Sequence, residues 1–236
     1  MTYTRSTKEQ ISRWLWLWIP ALIFVAPGIL KAASPFLYSL TKGETGIIEN
    51  LTAVVLFLAV VYGIRSFRSR SELPVRWLGV WIAMVTVAAL VFLGEEISWG
   101  QHYFHWETPE QWSHINLQNE TNLHNLNKLV NHIPRFILSM AAFVGGIVVP
   151  IVIRAKRISL NPAAPYYWLW PTIVCTPTSI MALTIGIPDK IGYELDLALW
   201  EFLTFYPGEL KECFLAIFLF LYTLSFYRRL QQRAQR

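Results

Sequence analysis

The chain has 236 residues and a formal charge of +5, yet 54% of it is hydrophobic and only 15% is charged, where a soluble domain carries about 25% charged residues. Fourteen Phe, eleven Trp and ten Tyr suit headgroup belts as well as packed helices. These values set aside a soluble globular fold. They predict an all-α integral membrane helix bundle, with the length divided by the ~20 residues that one bilayer crossing needs.

Six apolar stretches follow in chain order, each marked by charged flanks. Trp14 to Leu30 lies between Arg13 and Lys31, Ile47 to Ile64 between Glu44 and Arg65, and Trp77 to Gly94 between Arg76 and Glu95. Phe136 to Ile153 lies between Arg135 and Arg154, and Tyr166 to Ile187 ends before Asp189 and Lys190. Cys213 to Tyr227 stops at Arg228 and reaches bilayer length when begun at Glu209. The whole chain reads as one membrane domain. Its first span resembles a signal peptide in its basic start and its Ala32-Ala33-Ser34 exit, but the apolar core is long and Lys31 sits awkwardly beside any cut. It is read here as an uncleaved span.

Proline and glycine punctuate the spans. Pro20, Pro27 and Gly28 in the first and Pro171 and Pro177 in the fifth predict kinked helices whose freed carbonyls need new partners. Gly145-Gly146 in the fourth predicts close helix packing. Cys175 and Cys213 have no metal or redox spacing and read as small buried hydrophobes.

The loops orient the bundle. With both termini in the cytoplasm, inside segments hold 14 of the 20 basic residues and 2 of the 15 acids. The formal charge is then +12 inside and −7 outside, from 14 less 2 and 6 less 13. That is the positive-inside pattern, so the basic balance is a topogenic signal and not a nucleic-acid footprint. The expected location is the cell inner membrane.

All five histidines fall between His102 and His132, on the acidic side. A third helix continued past Gly94 would align Glu95, Trp99 and His102 at i, i+4, i+7, with Ser98 and His105 flanking. Thr108-Pro109-Glu110-Gln111 is a helix start, with a Thr cap and Pro at the first helical position. Asn116, Asn119, Asn122 and Asn125 recur every third residue against Leu123, Leu126, Val130 and Ile133, which predicts an amphipathic or re-entrant segment between spans three and four. A second acidic feature is an echo between Glu49-Asn-Leu-Thr-Ala53 and Glu212-Cys-Phe-Leu-Ala216, each placing a carboxylate at the acidic mouth of a span.

Gly94-Glu-Glu-Ile-Ser-Trp-Gly-Gln101, the Thr108-Pro109 turn and Asn116-x-Gln-x-Glu-x-Asn-Leu-His-Asn125 together resemble the signature of a group of uncharacterised bacterial multi-pass membrane proteins. The resemblance covers residues 94–125, implies a bacterial membrane protein and specifies no reaction. Ser98-x-x-x-His102 also has the Ser and His spacing of the alkaline-ceramidase-like hydrolases. Those enzymes need a further H-x-x-x-H pair near the C-terminus, and no histidine follows His132.

Glu, Gln, Asn, His and Ser concentrated beside a bilayer suit a substrate or metal site, because buried polar networks must be almost fully satisfied. Candidate catalytic residues are Glu95, Glu96, Ser98 and His124. Candidate substrate-binding residues are Glu49, Trp99, Gln101, Asn116, Gln118, Glu120, Asn122 and Asn125. A divalent metal ion is the candidate cofactor, with Glu95, His102 and His124 as ligands that would lower the pKa of a bound water. Absent Walker, Rossmann and C-x-x-C patterns argue against nucleotide and redox chemistry. Three functions follow: a hydrolase or transferase on a lipid-linked substrate, an ion- or proton-coupled transporter, or a non-catalytic subunit that docks another membrane protein.

Overall fold

The computed structural model describes residues 11–43, 46–110, 121–122, 128–195 and 207–235, with backbone alone for His102 and residues 128–131. Among them are six helices long and apolar enough to cross a membrane: Trp14–Ala33, Ile47–Arg68, Trp77–Glu96, His132–Ala155, Pro165–Glu194 and Pro207–Ala234. They are called spans 1 to 6 in that order. The predicted integral membrane helix bundle is what forms.

Span 6 is the core. Of its most apolar window 83% is buried, against 11% for span 1 and 22% for span 4, so the other spans enclose it. Span 2 packs along span 6 and span 3 along span 2, while span 5 packs on span 6 as well. Phe214, Leu215, Leu221 and Phe226 of span 6 are fully enclosed. The outward faces keep Leu22, Val25 and Ile29 of span 1, Val54 and Phe57 of span 2, and Val80, Met84 and Val87 of span 3. Such faces are suited to acyl chains. Lipid is as apolar as Leu, so the helices associate through close packing and hydrogen bonds.

Glycines set that closeness. A Cβ on Gly63 of span 2 would lie 2.9 Å from Thr86 Cγ2 of span 3. One on Gly146 of span 4 would lie 2.8 Å from Ser179 Cβ of span 5, which is the packing role expected of Gly145-Gly146. That glycine pair sits in a π-helical turn, Val144–Val148, and the Gly146 carbonyl accepts from Thr176 Oγ1 at 2.7 Å. Both cysteines are buried and unbridged.

Span 1 keeps its helix across Pro27, but span 5 is not the continuous helix expected from Tyr166 to Ile187. It consists of Pro165–Leu169, an extended stretch, a 3-10 turn at Ile173–Cys175, and then Thr176–Thr184 and Ile187–Glu194. Pro171 lies in the break, and Trp170 and Thr172 are extended. Span 6 satisfies the freed carbonyls. Tyr222 OH donates to Leu169 O at 3.0 Å and accepts from Trp81 Nε1 at 2.7 Å. Buried Arg229 donates to Tyr167 O. Non-helical backbone at membrane depth persists only where protein supplies such partners.

Candidate functional site

Span 3 ends at Glu96, and the chain turns sharply instead of continuing. Ser98, Trp99 and Gly100 have φ of +45°, +55° and +108° in succession, and the two non-glycine positions cost of order 1–3 kcal/mol each. This corrects the expected face of Glu95, Trp99 and His102. Trp99 folds back over Gly94, where a Cβ would sit 2.8 Å from the indole, and its Nε1 donates to Glu95 Oε1 at 2.8 Å. Gly94 is therefore the seat of the Trp99 ring.

The rest of the motif ties down the following segment. Fully buried Ser98 and Asn122 are joined by Asn122 Nδ2 donating to Ser98 Oγ at 2.9 Å. Gln101 is a hub. Its Oε1 accepts from Thr121 N at 2.6 Å and Thr121 Oγ1 at 3.0 Å, and its Nε2 donates to Thr108 Oγ1 at 2.9 Å and Trp106 O at 3.1 Å. Tyr103 OH donates to Asn50 Oδ1 at 3.0 Å, which joins the turn to span 2. Buried side chains so fully engaged rigidify what they hold. Ser98, Trp99, Gln101 and Asn122, expected as catalytic or binding candidates, are seen here holding the turn and residues 121–122 together.

Glu96 differs. It is partly buried, and its electrostatic neighbours are Glu212, Glu49, Arg135 and Glu209. The charges of Glu49 on span 2, Glu209 and Glu212 on span 6 and Arg135 on span 4 are thus near enough to act on Glu96 at the end of span 3. Arg135 is ion-paired with Glu212, and Glu209 accepts from Gly43 N at 3.2 Å. Glu49 and Glu209 occupy first helical turns, where the dipole favours a carboxylate. Below the cluster the bundle is filled by Phe214, Ile217, Phe218 and Leu221. The arrangement can bind a cation or ammonium group, donate and accept protons, and hold an anionic group on Arg135.

Adjacent residues on a helix point about 100° apart, which separates the two candidate acids. Glu95 meets Trp99 and Glu96 meets the cluster. Glu49 and Glu212, the two carboxylates of the sequence echo, are both electrostatic neighbours of Glu96 and not of Glu95. Arg135 was legible only as a span boundary, although a lone arginine amid acids beside an apolar run is itself a signal. His105 and His132 are exposed. His124, Asn116, Gln118, Glu120 and Asn125 lie outside the described residues, as does the side chain of His102. Of the expected metal ligands only Glu95 is therefore placed. Among the described residues, no three His, Cys, Asp or Glu side chains are disposed to hold a metal ion.

Fold and site together define a multi-pass helical membrane protein with a carboxylate cluster at one end. Compared with known protein families, curated proteins and solved structures, the chain matches none of them.

Proposed function

We propose that the acidic end faces away from the cytoplasm of a bacterial inner membrane, and that Glu96 is the acid–base group of an enzyme acting on a lipid or lipid-linked substrate. The reaction class is hydrolysis or group transfer. The supporting observation is that Glu49, Glu209, Glu212 and Arg135, from three other helix ends, all act electrostatically on Glu96, with Arg135 ion-paired to Glu212. In this reading Glu96 moves the proton, Arg135 holds the anionic part of the substrate, and the remaining carboxylates orient a donor group.

Directly below the cluster Phe214, Ile217, Phe218 and Leu221 are buried, which favours one-sided chemistry over a transporter. A docking subunit is the second reading, favoured by exposed Tyr103, Phe104 and Trp106 beside the turn. In the enzyme reading these rings form an interfacial belt.

Two measurements test the proposal. A periplasm-active reporter fused after Asn119 should give signal and one fused after Arg236 should not; the reverse would overturn the orientation. Lipid extracts of cells lacking the protein should accumulate one lipid species several-fold over cells expressing it. Identical lipid profiles under conditions of verified expression would favour the docking reading.

A further inference from the structure

Span 4 ends in a stretch that the rest of the bundle leaves bare. Its last helical piece, Val149–Ala155, has no buried residue, and Val148, Ile151 and Val152 are exposed along it. Ile151 and Arg154 stand three residues apart, which puts an apolar side chain and a cation on one helix face. A Schellman turn then closes the helix. Ile158 N donates to Ile153 O at 3.0 Å and Arg157 N donates to Arg154 O at 3.3 Å. Arg157 thereby takes the left-handed position, with φ of +51°, where glycine is the usual residue. Arg154, Lys156 and Arg157 are all exposed, and so are Ile158 and Leu160 beyond them. The loop that follows is anchored, since Pro162 O accepts from Trp168 Nε1 at 2.9 Å and from Arg233 Nη1 at 3.0 Å.

Two ordinary reasons for cations at this point fall short of explaining Arg157. A helix C-terminus favours positive charge, and basic residues near a span end orient it. Both need only charge in the neighbourhood, which Arg154 and Lys156 supply. Neither requires a bulky residue in left-handed backbone, which carries strain. The position is explained if the guanidinium has to stand at that place. No Asp or Glu occurs between Glu120 and Asp189, so the charge of this stretch is uniformly positive. Three cations flanked by exposed apolar side chains, where a spanning helix leaves the hydrocarbon, are complementary to an anionic amphiphile. We propose that this end of span 4 binds an anionic phospholipid, with Arg154, Lys156 and Arg157 around its headgroup and its acyl chains along Val148, Ile151 and Val152. The site lies at the far end of span 4 from Arg135 and does not depend on the enzyme reading. Bound lipid would also cover a span of whose apolar window protein buries only 22%.

The full-length protein in detergent would be titrated with dioctanoyl phosphatidylglycerol, dioctanoyl phosphatidylcholine and glycerol phosphate, with bound species counted by native mass spectrometry. Each Lys or Arg near an anionic headgroup contributes about fivefold in affinity. Wild type should therefore prefer phosphatidylglycerol over phosphatidylcholine by at least about tenfold. Arg157→Gly should lower that preference about fivefold while raising the melting temperature by about 2–4 °C, because the left-handed strain is relieved. Arg157→Lys keeps the charge and should keep the preference. Arg68→Gln, which removes an exposed cation of span 2 at the same end, should keep it too. Unchanged preference in Arg157→Gly overturns the proposal. An equal loss in Arg68→Gln also overturns it, by showing diffuse charge attraction in place of a site. Glycerol phosphate bound as tightly as phosphatidylglycerol overturns the lipid part. A melting temperature that fails to rise in Arg157→Gly overturns the claim that Arg157 is held there at a cost.

Discussion

Gly146→Leu is expected to destabilise the bundle by about 3 kcal/mol, the upper end of ordinary overpacking, and to reduce accumulation in the membrane sharply. Span 4 approaches span 5 at this point so closely that even a Cβ would lie 2.8 Å from Ser179 Cβ and 3.3 Å from Phe218 Cε2. Ser179 cannot retreat cheaply. It stands on the helix Thr176–Thr184 and its Oγ donates to Cys175 O at 2.9 Å. Thr176 Oγ1, one turn earlier, is bonded to the Gly146 carbonyl. Pushing the spans apart would therefore break a hydrogen bond as well as the packing. Gly146→Ala should show the same defect at smaller size, and Ser179→Gly should partly relieve it by removing the opposing Cβ. Fluorescence-detected size-exclusion chromatography after graded heating would measure this. A Gly146→Leu protein that melts with wild type would show that spans 4 and 5 are not held this closely.

The spans were legible because their signal is dense and redundant. Each is an apolar run with a charged residue at its ends, and Arg13, Arg65, Arg76, Arg154 and Arg228 mark a common end of the bundle. Span 5 was misread in its interior because hydropathy averages over residues 166–187 and is blind to backbone direction. Pro171 announced a freed carbonyl, but whether a proline kinks or interrupts a helix depends on partners elsewhere. Here the partners are Tyr222 and Arg229, fifty and more residues away on span 6. Nothing in the local sequence of span 5 encodes them.

The polar motif shows the same division. Its composition marked the right place, but helical spacing gave the wrong geometry for Trp99, because three successive left-handed residues reverse the chain. Gly100 was a visible cue for one of the three. Ser98 and Trp99 were not, since their backbone strain is held by contacts with Asn122, Gly94 and Glu95. Arg135 was missed as a site residue for a related reason. A charge next to an apolar run serves as a boundary marker in sequence, and only the packing of span 4 against span 6 reveals its pairing with Glu212.

The two neighbouring glutamates should therefore respond oppositely to the same change. Glu96→Gln is expected to abolish the cellular function, with a loss of about 10²–10⁴-fold if it removes the acid–base group. Glutamine keeps the size of the side chain but neither carries nor releases the proton, and Glu96 is the group on which Glu49, Glu209, Glu212 and Arg135 all act electrostatically. Glu95→Gln should stay near wild type, because an amide oxygen at the same position can still accept from Trp99 Nε1. Both variants should accumulate normally, since neither changes shape or removes a buried hydrogen bond. Adding Glu212→Gln to Glu96→Gln should lower activity little further, as groups acting together are strongly non-additive. The assay is restoration of the lipid profile in cells lacking the protein, with membrane levels measured in parallel. An active Glu96→Gln protein at normal abundance, or a Glu95→Gln variant as impaired as Glu96→Gln, would show that chemistry does not centre on this cluster.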